Sequence, residues 1–228
     1  MKAIAFDLGD TLIEYEGLPL SWEAHYGEAL LSLATFLGFK LTNDQLEAAC
    51  AVLRRYNTRI HPRTDEVSFA QIARELTGCF EHQFPDDELV YASVFFDIFR
   101  QRLQCFPEVP AVISALRARS LRLGIFTDVP YGMPRELVME DLVETGLQNS
   151  FDTILTSRDS GHRKPSPVSL GLLAGYMECQ PSEMVYVGNE KKDMDAARAA
   201  GCHAILIDRK GHGNNWGQDR TITALTEI

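Results

Sequence analysis

The chain opens on a run of apolar residues, Ala3-Ile4-Ala5-Phe6, that halts on a carboxylate at Asp7. Consecutive apolar positions bounded by Gly9-Asp10-Thr11 predict a strand buried on both faces, as in a parallel sheet, feeding a loop. The period then changes. Trp22, Tyr26, Leu30, Leu33, Phe36 and Leu37 recur every three to four positions and predict a helix that Gly38 ends. Asn43 is expected to cap a second helix through Leu46, Cys50, Leu53 and Tyr56. Ser68 starts a third through Ile72 and Leu76, closed by Gly78. Pro85-Asp86-Asp87-Glu88 opens a fourth, since proline suits a first turn and acidic residues suit its positive end. The dense apolar set Leu89, Val90, Val94, Phe95, Phe96, Ile98 and Phe99 predicts burial on more than one side, with the phenylalanines as packing residues.

From Pro107 helices and strands alternate. A helix over 109–119 precedes a strand over 121–126 that ends in Thr127-Asp128, and a helix within 135–145 precedes a strand over 151–155. A helix over 168–177 precedes a strand over 184–187 that ends in Gly188-Asn189, and a helix over 193–200 precedes a strand over 203–207. Such alternation predicts an α/β fold with a doubly wound parallel sheet. The tail from Gly211 reads as loop, with a short final element within 222–228. The expected organisation is a core of residues 1–15 and 107–228, interrupted after its first strand by a four-helix insertion, 16–106. That insertion is placed like a lid over the loop carrying Asp7.

Composition narrows the partners. At 228 residues and 45% hydrophobic, the chain can bury one core plus an inserted subdomain. A net charge of −10 argues against a nucleic-acid groove or an anionic membrane surface, so a phosphorylated substrate would need a local cation or metal. The five cysteines are scattered without a C-x-x-C pair and read as free thiols in a reducing compartment. Met1-Lys2 leads into a strand rather than a signal peptide, and no apolar run approaches the ~18 residues of a membrane span. The expectation is a cytoplasmic protein acting on a small molecule, with no nucleic-acid or membrane partner. Nothing in the pattern specifies an oligomer.

Ligands of open α/β sheets bind beyond the carboxyl ends of the strands, and four such ends here carry different chemistry. Asp7 can attack phosphorus or carbon as a nucleophile. Thr127, followed by Asp128, offers a hydroxyl to a phosphoryl oxygen. Lys164, before Pro165, supplies fixed positive charge. Gly188-Asn189-Glu190-Lys191-Lys192-Asp193 offers amide and carboxylate oxygens. Nucleophile, charge neutralisation and hard-oxygen metal ligands are the parts of a phosphoryl-transfer site, and the oxygen set suits Mg²⁺.

Strand-Asp-x-x-x-Thr-Leu, strand-Thr, Lys-Pro and Val-Gly-Asn-x-x-x-Asp, in that order over the whole chain, resemble the haloacid dehalogenase-like hydrolase superfamily. The resemblance is to its phosphatase-like branch, with a C1-type helical cap on a Rossmann-like core. It implies Asp7 as nucleophile and first metal ligand, Thr127 as phosphate-binding hydroxyl, and Lys164 as the lysine that steadies nucleophile and transferring group. It also implies Asn189 and Asp193 at the metal positions, a Mg²⁺ cofactor and an aspartyl-phosphate intermediate. Three positions depart from the pattern. Gly9 stands where the phosphatases carry their general acid/base aspartate, leaving only a carbonyl for the metal. Asp128 replaces a common asparagine beside the phosphate, and Asn189 replaces a metal-binding aspartate.

General acid–base help is worth ~10²–10⁴-fold, so Gly9 favours substrates with good leaving groups. Hydrolysis of another bond, carbon–halogen or carbon–phosphorus, is the alternative, as is a binding or regulatory protein that has lost turnover. Asp10 is read as a turn residue, and Thr11 as bonding within the same loop. Arg54, Arg55, Arg59, His61 and Arg63 form either a solvated basic edge or, for one or two of the arginines, a clamp on an anionic substrate tail.

Overall fold

The computed structural model describes all of residues 1–228. The chain runs β1 (Ala3–Phe6), β2 (Ile13–Tyr15), α1 (Tyr26–Phe36), α2 (Asn43–Tyr56), α3 (Phe69–Phe80), α4 (Glu88–Asp97) and β3 (Leu103–Cys105). It continues with α5 (Val109–Ala118), β4 (Arg122–Thr127), α6 (Arg135–Glu144), β5 (Thr153–Thr156), α7 (Ser157–Ser160) and α8 (Val168–Tyr176). The last elements are β6 (Met184–Gly188), α9 (Lys191–Ala200), β7 (His203–Ile207) and β8 (Arg220–Ile222).

Six strands form one parallel sheet in the order β5-β4-β1-β6-β7-β8. β1 therefore lies between β4 and β6, with Phe6 opposite Ile125 on one side and Val187 on the other. This register brings Asp7, Thr127 and Gly188-Asn189 to one edge of the sheet, where the chain turns from building one side to building the other. Side chains alternate across the sheet. Ile4, Phe6, Leu123, Ile125, Val185 and Val187 face a large core that is continuous with the four inserted helices. Ala3, Ala5, Phe126, Met184 and Tyr186 face a smaller one under α8 and α9. The strands are apolar on both faces because both faces are covered.

Between β2 and β3 the chain folds into α1–α4, where Phe69, Phe95, Phe96 and Phe99 pack ring against ring. Phe95, Phe96 and Phe99 are fully or nearly fully buried, as their density predicts, and so is Phe69, whereas Val90 of the same dense set is exposed. The two crossings of the chain pair as an antiparallel ribbon, Ile13 opposite Cys105 and Tyr15 opposite Leu103. The ribbon is tied to α6, since Tyr15 Oη donates to Asp141, which also accepts from Arg100 Nε at 2.8 Å. A second junction brings backbone against backbone. Gly132 (φ +64°) lies so close to Val67-Ser68-Phe69, where α3 begins, that a Cβ there would stand 2.2 Å from the Val67 carbonyl oxygen.

Several expected boundaries move. Thr42, not Asn43, caps α2, because its hydroxyl accepts from Gln45 N while Gln45 Oε1 accepts from Thr42 N, a reciprocal pair that Asn43 is not placed to make. α3 runs past Gly78 to Phe80, whose buried ring outweighs the poor helix propensity of one glycine. The ribbon β2–β3 and the edge strand β8 escape the hydrophobic pattern. Each strand has three residues, and in β8 only Ile222 is buried. All five cysteines are free, and no helix is long and apolar enough to cross a membrane.

Candidate active site

The strand-end residues converge on Lys164. Its Nζ donates to Asp7 Oδ1 at 2.6 Å and to Tyr186 Oη at 3.1 Å, and stands 2.7 Å from Asp193 Oδ1 as an ion pair without hydrogen-bond alignment. The Lys164 side chain is fully buried. Burial opposes its charge, but Asp193 and Asp7 outweigh burial and hold the ammonium protonated well above its ordinary range. Burial pushes the Asp7 carboxyl up, against the opposing pull of Lys164. Tyr186 Oη donates onward to the Phe126 carbonyl at 2.8 Å, so β6 and β4 together fix the lysine head.

Asp193 lies in the first turn of α9, where its Oδ2 accepts from Asn189 N at 3.1 Å and Glu190 N at 2.8 Å. Gly188 is required by this arrangement, since an added Cβ would stand 2.5 Å from Asp193 Cβ. Asn189 Oδ1 accepts a long 3.5 Å bond from Thr11 Oγ1, so the Thr11 hydroxyl reaches across to the β6 loop while its amide donates to Leu8 O at 3.3 Å within its own. Gly9 has open space where a Cβ would project. Asp10 adopts a left-handed backbone (φ 56°), a conformation Asp tolerates in turns, and its amide donates to the Ile13 carbonyl at 2.7 Å.

Thr127 is buried at the end of β4, and its hydroxyl makes no bond within the chain. Asp128 Oδ1 accepts from Lys164 N at 3.1 Å, and its Oδ2 lies 3.2 Å from Lys192 Nζ. Burial raises the Asp128 carboxyl, but Lys164, Lys192 and Arg163 outweigh it and hold it below the usual range. The extra negative charge at Asp128 is thus compensated, first by Lys164 and then by Lys192, a residue the motif did not single out.

Hard-oxygen donors at this edge are the Asp7 carboxylate, the Gly9 carbonyl, Asn189 Oδ1 and Asp193. No three His, Cys, Asp or Glu side chains form a metal cage by themselves. The set suits a cation that completes its shell with water and substrate oxygens, which is how Mg²⁺ is commonly held.

Two cavities whose linings share Asp10, Arg59, Asp128 and Lys192 flank the site. The inner one, about 200 Å³, has Leu8, Gly9, Thr127 and Asp128 at its floor and Trp22, Tyr56 and Asn57 of the inserted segment opposite. The outer cleft, about 1270 Å³, is lined by Lys164, Asn189 and Glu190 among others.

The arginine cluster is distributed differently from a clamp on a substrate tail. Arg54 pairs with Glu23 and Arg55 with Glu75 at the surface. Arg59 lines both cavities but is held by Glu190 at 2.6 Å. Arg63 donates to the Tyr56 carbonyl at 2.8 Å and lies beside Glu66. Glu66, absent from the motif reading, has a buried carboxylate that accepts from Ser157 Oγ, Arg163 and Val67 N. Backbone bonds Glu66 N to Gly161 O (2.9 Å) and Arg163 N to Thr64 O (2.7 Å) lay this segment of the insertion along the loop that carries Lys164. A buried acid in an otherwise polar stretch, Thr64-Asp65-Glu66, leaves no periodic trace, which is why the sequence does not flag it.

An aspartate at the central strand end, a buried lysine against it and a helical insertion beside it define a hydrolase site of one family. Residues 1–201 match the haloacid dehalogenase-like hydrolase family, and the chain belongs to it. Among similar proteins is the phosphoglycolate phosphatase of Shigella boydii, 32% identical over 231 residues that span 96% of this chain and 84% of that one. A 2-haloacid dehalogenase structure from Pseudomonas syringae pv. tomato superposes with a TM-score of 0.67 at 25% identity, covering 100% of this chain and 96% of the other. The HAD phosphatase of Thermococcus onnurineus gives the same TM-score of 0.67 at 24% identity, covering 100% and 95%, and shares the fold.

Proposed function

We propose that the protein is a Mg²⁺-dependent phosphatase that hydrolyses a small phosphorylated metabolite through an aspartyl-phosphate on Asp7. The carrying observation is the buried Lys164 ammonium, 2.6 Å from Asp7 Oδ1 at the end of the central strand. With one Asp7 oxygen fixed by Lys164, the other is left to attack phosphorus and displace the leaving-group oxygen. Water then attacks the same phosphorus, releasing phosphate and restoring the carboxylate. Lys164 and the free hydroxyl of Thr127 neutralise and position the phosphoryl oxygens. Asp7, the Gly9 carbonyl, Asn189 and Asp193 are the residues assigned to Mg²⁺, which would balance charge on the phosphoryl group. Residues 1–15 and 107–228 serve as the catalytic core and 16–106 as the cap over it. The similarity to phosphoglycolate phosphatases supports phosphatase chemistry as such.

A second reading, carbon–halogen hydrolysis, draws on the similarity to the 2-haloacid dehalogenase and on the missing side chain at position 9. Metal dependence separates the two. Phosphate release from phenyl phosphate that requires Mg²⁺ and is lost in Asp7→Asn supports the phosphatase. Halide release from a 2-haloacid without metal, and no phosphate release, supports the dehalogenase.

A further inference from the structure

The inner cavity bears on what the leaving group is. Its walls are ring faces and aliphatic chains, Leu18, Leu20, Trp22 and Tyr56 from the insertion and Tyr131 and Val138 from the core. Most polar atoms of this wall already have partners, the exceptions being the uncharged Trp22 indole N–H and Thr58 hydroxyl. Tyr56 Oη donates to Glu75, and the hydroxyls of Tyr131 and Tyr26 share a hydrogen bond. The Asn57 amide donates to Ser21 Oγ at 3.1 Å and to Tyr26 Oη at 2.9 Å, while its oxygen accepts from Arg59 N at 2.9 Å. Trp22 lies flat on Phe99 with centroids 4.1 Å apart, which fixes the indole as a rigid wall.

Charge points the same way. The cations that line the inner cavity are Arg59, Arg163 and Lys192, and each is matched. Arg59 holds Glu190 at 2.6 Å, and Lys192 lies 3.2 Å from Asp128 and 3.1 Å from Glu190. Arg163 holds buried Glu66 and donates to the Val129 carbonyl at 2.6 Å. Asp10 adds negative charge to the same lining, where Asp141 is matched by Arg100 at 2.8 Å. A second anion entering here would meet no free cation and would have to displace a carboxylate already in place. In the outer cleft only Lys210, which is exposed, lacks an ion-pair partner among the lining cations.

We infer that the inner cavity takes the uncharged apolar or aromatic leaving group of a phosphate monoester, and that the site discriminates against leaving groups bearing a carboxylate. This rests on the phosphatase reading for the reaction. A cavity of about 150 Å³ holds a benzene ring, so the inner cavity has room for one ring or a short branched chain. Neutral aryl leaving groups are also the ones that least need the acid that Gly9 lacks.

The test separates the pocket from the chemistry. Phenylphosphonate and 3-carboxyphenylphosphonate, which cannot be hydrolysed, are titrated by calorimetry into the wild-type protein with Mg²⁺ present. Phenyl phosphate and 3-carboxyphenyl phosphate, whose phenols leave almost equally well, are then assayed for turnover. The expected result is phenylphosphonate binding about tenfold tighter or more, with any difference in turnover residing in KM. Equal or tighter binding of the carboxylated analogue, or no binding of phenylphosphonate, overturns the inference. Preferential phenylphosphonate binding without hydrolysis of either ester supports the pocket assignment and overturns the phosphatase reading instead.

Discussion

Glu66 is one residue through which the inserted segment grips the catalytic loops, and its removal has a calculable cost. Its side chain is 1% exposed, and that of Arg163, its main partner, is 4% exposed. In Glu66→Ala the Arg163 guanidinium stays buried, Ser157 Oγ loses its acceptor, and the Val67 amide loses its partner at 2.9 Å. Breaking a buried pair by deleting one partner costs about 3–5 kcal/mol. Arg163 keeps the Val129 carbonyl at 2.6 Å, and Arg63 keeps the Tyr56 carbonyl at 2.8 Å, so the lower end applies, about 3 kcal/mol. For a chain of this size that is roughly a 6–12 °C fall in Tm. Urea unfolding followed by tryptophan fluorescence and by far-UV circular dichroism measures it. Glu66→Gln retains an acceptor without the charge and should lose about half as much. A loss below about 1 kcal/mol in Glu66→Ala would show that the network is solvated and refute the reasoning.

Further predictions concern the site, the junction and acid stability. Gly9→Asp enters open space, so kcat for an alkyl phosphate should rise by about 10²–10³-fold while that for phenyl phosphate changes little; equal changes would place the limitation elsewhere. Gly132→Ala combines a left-handed backbone (φ +64°) with a Cβ 2.2 Å from the Val67 oxygen. It should destabilise by at least about 2 kcal/mol in thermal unfolding, and a neutral result would contradict the close approach. Burial raises the Glu88 carboxyl, but hydrogen bonds from Arg158 and Ala70 N hold it below its ordinary value. A depressed native pKa means that this contribution is complete above the unfolded value of about 4.3 and disappears as pH falls through the native one. The stability gap between wild type and Glu88→Gln should therefore be constant at neutral pH and shrink below about pH 4; a gap that widens in acid would reverse the sign.

The sheet was legible because its strands are buried on both faces, so Ala3–Phe6 and Met184–Gly188 read as uninterrupted apolar runs. The strand-end residues followed from that, since a parallel sheet gathers its carboxyl ends on one edge. β2, β3 and β8 were not legible, because a three-residue strand carries too little periodicity to distinguish it from loop. At the site, Lys164 beside Asp7 could be anticipated from its place in the ordered set of strand-end motifs, but its buried partners Tyr186 and Asp193 depend on the register of β6 and the start of α9. Glu66 and Lys192 act through long-range ion pairs, which composition registers only as balanced charge. The arginine cluster left two readings open, a solvated basic edge or a clamp by one or two arginines, because the partners Glu23, Glu75 and Glu190 of Arg54, Arg55 and Arg59 lie far off in sequence.

The most direct test of the account is a rapid-quench experiment with phenyl phosphate and Mg²⁺, beside an Asp7→Asn control. The account predicts a burst of phenol equal to one per site, a phosphoryl adduct on the peptide containing Asp7 by mass spectrometry, and neither in the variant. Phenol release that Asp7→Asn retains, or turnover with no adduct on Asp7 at any quench time, would contradict it.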